Sequence, residues 1–153
     1  MFYDDLARGK HGEHIVAAAL TARGHKVIDK SDDWEYRRKD IDFIITNSAA
    51  QETTLEIKTD AASERTGNLY IEYYNVNNKS HSYNGWLFYC GAEYIGFLQE
   101  GKGLLHICSL LDLRENIEKN NYRSASSADS RGYLLPIGDI QKFPTYQQIN
   151  ILV

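Results

Sequence analysis

The chain has 153 residues, 17 basic and 21 acidic, for a net charge of −4, and 42% of them are hydrophobic. That composition excludes a disordered tail and a miniature fold that depends on disulfide staples. The mild acidity excludes binding nucleic acid through bulk charge, so any such binding needs a local basic patch.

One domain spanning 1–153 is the expectation at this length, burying roughly 70% of the surface that the unfolded chain exposes. Cys90 and Cys108 lie far apart with no C-x-x-C partner and read as buried reduced thiols. No run nears the roughly 18 apolar residues of a membrane span. The opening MFYDDLARGK carries acid where a secretory leader needs base. A cytoplasmic protein without membrane attachment is expected.

In chain order, the first element is a helix over about 4–23, rich in Ala and Leu and stopped by Gly24. Glu13 falls on the face of Val16, Ala17 and Leu20. HKVIDK (25–30) reads as a strand. DIDFIIT (40–46) alternates, with Ile41, Phe43 and Ile45 opposite Asp42 and Ile44. TTLEIKTD (53–60) alternates too, with Leu55, Ile57 and Thr59 opposite Glu56 and Lys58. The polar NSAAQE between them suits a hairpin. LYIEYY (69–74), WLFYC (86–90), YIGFL (94–98) and LLHIC (104–108) read as further strands. SLLDLRENIEKN (109–120) is an expected helix with Ser109 as N-cap and Asp112 three residues on. RSASSADSRG (123–132) reads as a loop, and GYLLPIG (132–138) as a last strand. The order predicts α/β class, a mixed central sheet flanked by helices.

If strands 40–46 and 53–60 pair antiparallel, Asp42 and Glu56 meet on one face near one end. Carboxylates placed together repel, and a divalent cation such as Mg²⁺ relieves the repulsion. Lys58, two residues from Glu56, shares its face, where an ammonium can steer a metal-bound water or neutralise a phosphate oxygen. Chance alone supplies about one acid-x-Lys triplet in a chain like this. Two occur, and the other, Glu100-Gly101-Lys102, lies between glycines in a turn. Strand context separates the two. Glu13, a carboxylate on an apolar face, needs a partner such as a metal or its water, or else a rim position near Arg8, Lys10 or Arg38. Glu72 reads either as part of this site or as a solvated strand residue. The reading fails if Asp42 points away from Glu56, or if a salt link seals both acids from solvent.

This arrangement resembles the PD-(D/E)XK nuclease superfamily, with its restriction-endonuclease-like fold, and in particular Holliday-junction-resolvase and phage-type members. The helix Glu is matched by Glu13 in HGEHIVAAAL, the strand Asp by Asp42 in KDIDFII, and the Glu-x-Lys by Glu56 and Lys58 in LEIKTD. TGNLYIEYYN also resembles the strand that follows the catalytic hairpin in phage-type members. Ile41 stands where the family motif has Pro. The resemblance implies metal-dependent hydrolysis of a phosphodiester bond, most readily in DNA. Asp42 and Glu56 would bind Mg²⁺ or Mn²⁺ with the Ile57 carbonyl, Lys58 would position the water, and Glu13 would act through a water or a second metal. It also implies homodimers where both strands of a duplex are cut, although no feature here requires one. A non-cleaving module on the same fold, holding nucleic acid or protein, is the alternative. A third reading makes Glu56 and Lys58 mere surface pairs.

Candidate contacts to nucleic acid are Arg37, Arg38 and Lys39, with Lys10, Arg65 and Lys79 flanking the same cleft. A solvated turn is the other reading of 37–39. Tyr70, Tyr73, Tyr74 and Tyr83 could stack bases or pack the sheet. His11 and His14 stand at i, i+3 without a further zinc ligand at suitable spacing, and His81 lies in a polar loop where substrate could reach it.

Overall fold

The computed structural model describes residues 2–151. Met1, Leu152 and Val153, included in the expected domain, lie outside the described residues. Helix α1 (Phe2–Ala22) leads into β1 (Lys26–Asp29) through Gly24, whose φ of 90° only glycine adopts without strain. Then follow α2 (Trp34–Arg37), β2 (Phe43–Thr46), β3 (Glu52–Thr59), α3 (Ala62–Thr66) and β4 (Asn68–Asn75). The second half runs α4 (Trp86–Tyr89), β5 (Tyr94–Gln99), β6 (Leu104–Ser109), α5 (Leu110–Lys119), β7 (Ser124–Ser126), β8 (Ser130–Pro136), α6 (Ile137–Ile140) and β9 (Gln147–Asn150).

The class is α/β. A six-stranded mixed sheet has the order β1-β2-β3-β5-β6-β9, and a second sheet of three strands has the order β4-β8-β7. The β2–β3 hairpin is antiparallel, with Phe43 opposite Leu55 and Thr46 opposite Glu52, while β3 and β5 run parallel. Side chains alternate between the two faces of β3, but both faces are covered at its centre, where Leu55, Glu56 and Ile57 are all buried. Leu55 and Ile57 pack with Val16 and Leu20 of α1, Phe43, Ile45, Leu98 and Leu105. A second apolar cluster gathers Leu69, Ile71, Trp86, Leu87, Ile95, Phe97, Leu113 and Leu135. Gly12 lets α1 press onto the sheet, since a Cβ there would meet Thr59 and Leu98.

Four expectations are corrected. WLFYC is not a strand but the turn of helix α4, closed by a Cys90 N–H to Trp86 carbonyl bond of 2.9 Å. Its aromatic residues favour strands, yet the segment takes local helical hydrogen bonds, which bury Trp86 and Leu87 and leave Phe88 exposed. The 69–74 strand leaves the central sheet for the smaller one. The 123–132 loop contains β7 and the start of β8. Strand β2 starts at Phe43 rather than residue 40, because Asp40 turns the backbone into the left-handed region (φ 54°). Ser109 caps α5 as expected, accepting the Asp112 N–H at 3.0 Å. The C-terminal β9, for which no expectation was formed, pairs with β6 and buries Ile149. Among the described residues no helix is long and apolar enough to cross a membrane.

Candidate active site

Three neighbouring segments bring the expected acids and lysine together. Asp42 lies one residue before β2, and its N–H continues the ladder to the Leu55 carbonyl at 3.0 Å. Its carboxylate turns inward and accepts the Ile57 N–H at 2.8 Å. The β2–β3 register, extended by one step, sets Asp42 beside Glu56. Lys58 follows on β3, with its ammonium 3.0 Å from Glu56 Oε1 and 2.9 Å from Asp40 Oδ2, and 5.6 Å above the Trp86 ring.

Asp42 and Glu56 are nearly enclosed, at 7% and 5% exposure. The Lys58 and Asp40 side chains, 28% and 23% exposed, are the nearest solvent-facing groups of the cluster.

Acids outnumber bases here, and burial does the rest. Burial pushes the Asp42 carboxyl up, against hydrogen bonds from Glu56 and the Ile57 N–H and the charge of Lys58. Burial raises Glu56 well above the usual range, although Lys58 opposes it. Burial alone would lower Lys58, but Glu56 and Asp40 outweigh it and hold the ammonium well above its ordinary value. Glu56 Oε2 is buried with no partner outside the acid cluster, and Glu13 Oε2 is buried with the Lys10 ammonium 3.4 Å away.

Glu13 takes the paired position expected of the second alternative, with Lys10 as its partner. It touches Lys10 at 3.4 Å, and it also faces Asp42 across the cluster. Burial and the Asp42 charge raise it to about 7 against the pull of Lys10. The folded chain therefore keeps a proton between about pH 4.5 and 7 that the unfolded chain has released, so this contribution to stability falls as pH rises through that window. Glu13→Gln removes the effect. Its melting temperature relative to wild type is expected to climb from pH 5 to pH 8, and a pH-independent difference would show that Glu13 is unperturbed.

Two acids missed as site members, or left open, lie close to Lys58. Asp40 was not anticipated, since a left-handed turn residue leaves no periodic signal. Its carbonyl accepts the Cys90 thiol at 3.3 Å, which fixes it against α4. Burial lifts that thiol to about 12, consistent with an inert structural cysteine. Glu72 is half-buried beside α4 rather than on a solvated face, with Asn75 as its side-chain partner at 3.2 Å. Burial raises its carboxyl, opposed by bonds from Asn75 and the Trp86 N–H and by the Lys58 charge.

The basic candidates divide. Lys10 is engaged by Glu13, by Ser31 at 3.0 Å and by Asp32 at 3.2 Å, so it is not available to a phosphate without breaking those contacts. Arg37, Arg38, Lys39, Arg65 and Lys79 are exposed and make no ion pair among the described residues. Arg37 to Lys39 lead directly into Asp40. Tyr73 packs on Tyr133 at 4.5 Å, and Tyr70 lies over Gly132 with its hydroxyl 2.7 Å from Ser130, so both serve the sheet. Tyr74 and Tyr83 stay exposed. His11 pairs with Glu100 at 2.9 Å, giving that carboxylate of the second acid-x-Lys triplet a local partner. His81 stacks on Tyr89 at 3.8 Å. Tyr89 in turn is raised by burial and senses Asp40, Lys58, Glu72 and Glu56.

Among the described residues, no three His, Cys, Asp or Glu side chains surround a common ion position. The donor set nevertheless suits a hard cation. It is oxygen-only, it includes the buried Glu56 Oε2, and Mg²⁺ is usually held by one or two carboxylates with water completing its shell. No family model matches this sequence, and neither the curated proteins nor the solved structures give a match.

Proposed function

We propose that the chain is a metal-dependent nuclease that hydrolyses phosphodiester bonds in DNA, on a restriction-endonuclease-like fold. The observation that carries the reading is the convergence of Asp42, just before β2, with Glu56 and Lys58 of β3 into one buried, acid-rich cluster whose Lys58 and Asp40 side chains are partly exposed. Structural ion pairs do not need so many acids around one ammonium, and burying unpaired carboxylate oxygens is costly.

Asp42 and Glu56 would hold Mg²⁺ or Mn²⁺, with the Ile57 carbonyl as a further ligand. When bound, the cation supplies charge to the phosphate and acidity to a coordinated water. Lys58 has two acidic partners, so Asp40 keeps its ammonium in place when Glu56 turns to a cation. There the ammonium orients the attacking water and neutralises charge developing on a phosphate oxygen. Glu13, raised to about 7, can carry a proton near neutrality and acts at the edge of the site. Arg37, Arg38 and Lys39 meet the backbone phosphates, and Arg65 and Lys79 extend that basic contact. The two strands of a duplex make a homodimer a natural working form.

The test is a panel of linear, nicked, branched and single-stranded DNA. Cleavage is expected with Mg²⁺ or Mn²⁺ and is lost with chelator. Binding without cutting on every substrate overturns the hydrolase reading in favour of a binding module. No binding at all leaves the cluster structural.

A further inference from the structure

Trp34 is 77% exposed, the most exposed of the large hydrophobic residues described. The other tryptophan, Trp86, is 6% exposed. Isolated apolar side chains on a surface are ordinary, but the backbone beneath Trp34 is not loose. Asp33 caps α2 by accepting the Glu35 N–H at 3.1 Å. Tyr36 packs against the apolar core, with the Lys30 ammonium 5.1 Å over its ring. The Arg38 N–H returns to the Trp34 carbonyl at 3.2 Å and the Ile41 N–H to the Tyr36 carbonyl at 3.1 Å. The Gly91 N–H holds the Lys39 carbonyl at 2.7 Å.

The turn is therefore anchored on one side and bare on the other, where Trp34, Arg37 and Arg38 face solvent. Its basic run stands out in an acidic protein, and it continues directly into Asp40, the partner of Lys58. An exposed indole on an anchored turn, with Arg37 and Arg38 three and four residues on along the same face and Asp33 and Glu35 on either side of it in sequence, has the chemistry to stack on a nucleobase while the guanidinium groups neutralise adjacent phosphates. A base paired inside a duplex hides its faces, so the stack needs an unpaired one.

We propose that the turn from Asp33 to Lys39 is a stacking finger, in which Trp34 packs on an unpaired base and Arg37 and Arg38 hold the flanking phosphates. The inference rests on the nucleic-acid reading of the adjacent site, and directs that site toward single-stranded DNA or locally unpaired junctions and flaps.

The test uses the full chain in chelator, so that no cleavage occurs. Tryptophan fluorescence is followed as a single-stranded 20-mer, or the blunt duplex of the same sequence, is added. A labelled copy of each oligonucleotide reports affinity by anisotropy. Saturable quenching is expected, with the single strand bound at least several-fold more tightly than the duplex. Trp34→Ala should weaken single-strand binding by about tenfold, and Trp34→Phe should retain most of the affinity while losing the quenching. Arg37→Ala and Arg38→Ala should each flatten the log–log salt dependence by about one unit.

Affinity of Trp34→Ala within twofold of wild type, equal affinity for duplex, or quenching that follows protein concentration without DNA each overturns the proposal. Cleavage with Mg²⁺ that does not depend on Trp34 sinks the finger alone. Trp34-dependent binding without cleavage in Mg²⁺ sinks the hydrolase reading alone. Absence of both binding and cleavage removes both.

Discussion

Lys58→Ala is expected to lower metal-dependent DNA cleavage by more than about 100-fold while the protein stays folded, because it removes a charge aimed at the developing oxyanion. The ammonium lies within 3.0 Å of both Glu56 and Asp40, and among the described residues no other cation pairs with Glu56. Losing it ordinarily strands a buried charge. Here burial favours the neutral Glu56 carboxyl once the ammonium is gone, and the fold is expected to survive. Asp42→Asn is the companion variant. Its amide oxygen can still accept the Ile57 N–H now bound at 2.8 Å, while one of the two carboxylates is lost. Initial rates on the most responsive DNA, read beside thermal unfolding, check both. A folded Lys58→Ala protein that cuts within a few-fold of wild type removes the ammonium from the mechanism.

Gly85→Ala is expected to cost about 3 kcal/mol, the upper end for overpacking, because the obstruction is backbone rather than a side chain that can rotate away. A Cβ on Gly85 would fall on the Glu72 carbonyl and the Tyr73 nitrogen, where β4 is irregular between Glu72 and Tyr74. Relief requires α4 to move away from β4. That would carry Trp86 from beneath Lys58 and Glu72 from the edge of the site. A fall in melting temperature of about 10 °C corresponds to that cost in a chain of this size. Gly9→Ala is the control. Nothing lies within 4 Å of the new methyl, and it sits inside α1, so it should be neutral or stabilise by up to about 1 kcal/mol. Equal melting temperatures for Gly85→Ala and wild type would show that the close approach is not tight.

The charge cluster and the fold around it differ in how they are written into the chain. Alternation in 40–46 and 53–60 was enough to place Asp42, Glu56 and Lys58 together, since a hairpin of period two admits few registers that bury Phe43, Ile45, Leu55 and Ile57. Helical periodicity likewise set Glu13 on the Val16–Leu20 face, and Gly24 and Ser109 marked real helix ends. These features are local, and the physics that makes them acts within a few residues.

What remained hidden depends on contacts between distant segments. Asp40 joins Lys58 only because its backbone turns left-handed and Cys90 holds it from α4. Glu72 comes to lie beside α4 only because β4 leaves the central sheet and Gly85 lets α4 close against it. Trp86 to Tyr89 are helical against their strand propensity where Gly85 seats the segment directly on the β4 backbone. The four-residue β9, with polar Gln147, Gln148 and Asn150, is a strand because β6 offers it an edge. The sequence by itself determined the alternation and the acid-lysine spacing. Tertiary structure decided which further acids surround that lysine and how far burial raises them, because desolvation depends on everything packed around a group and not on its neighbours in the chain.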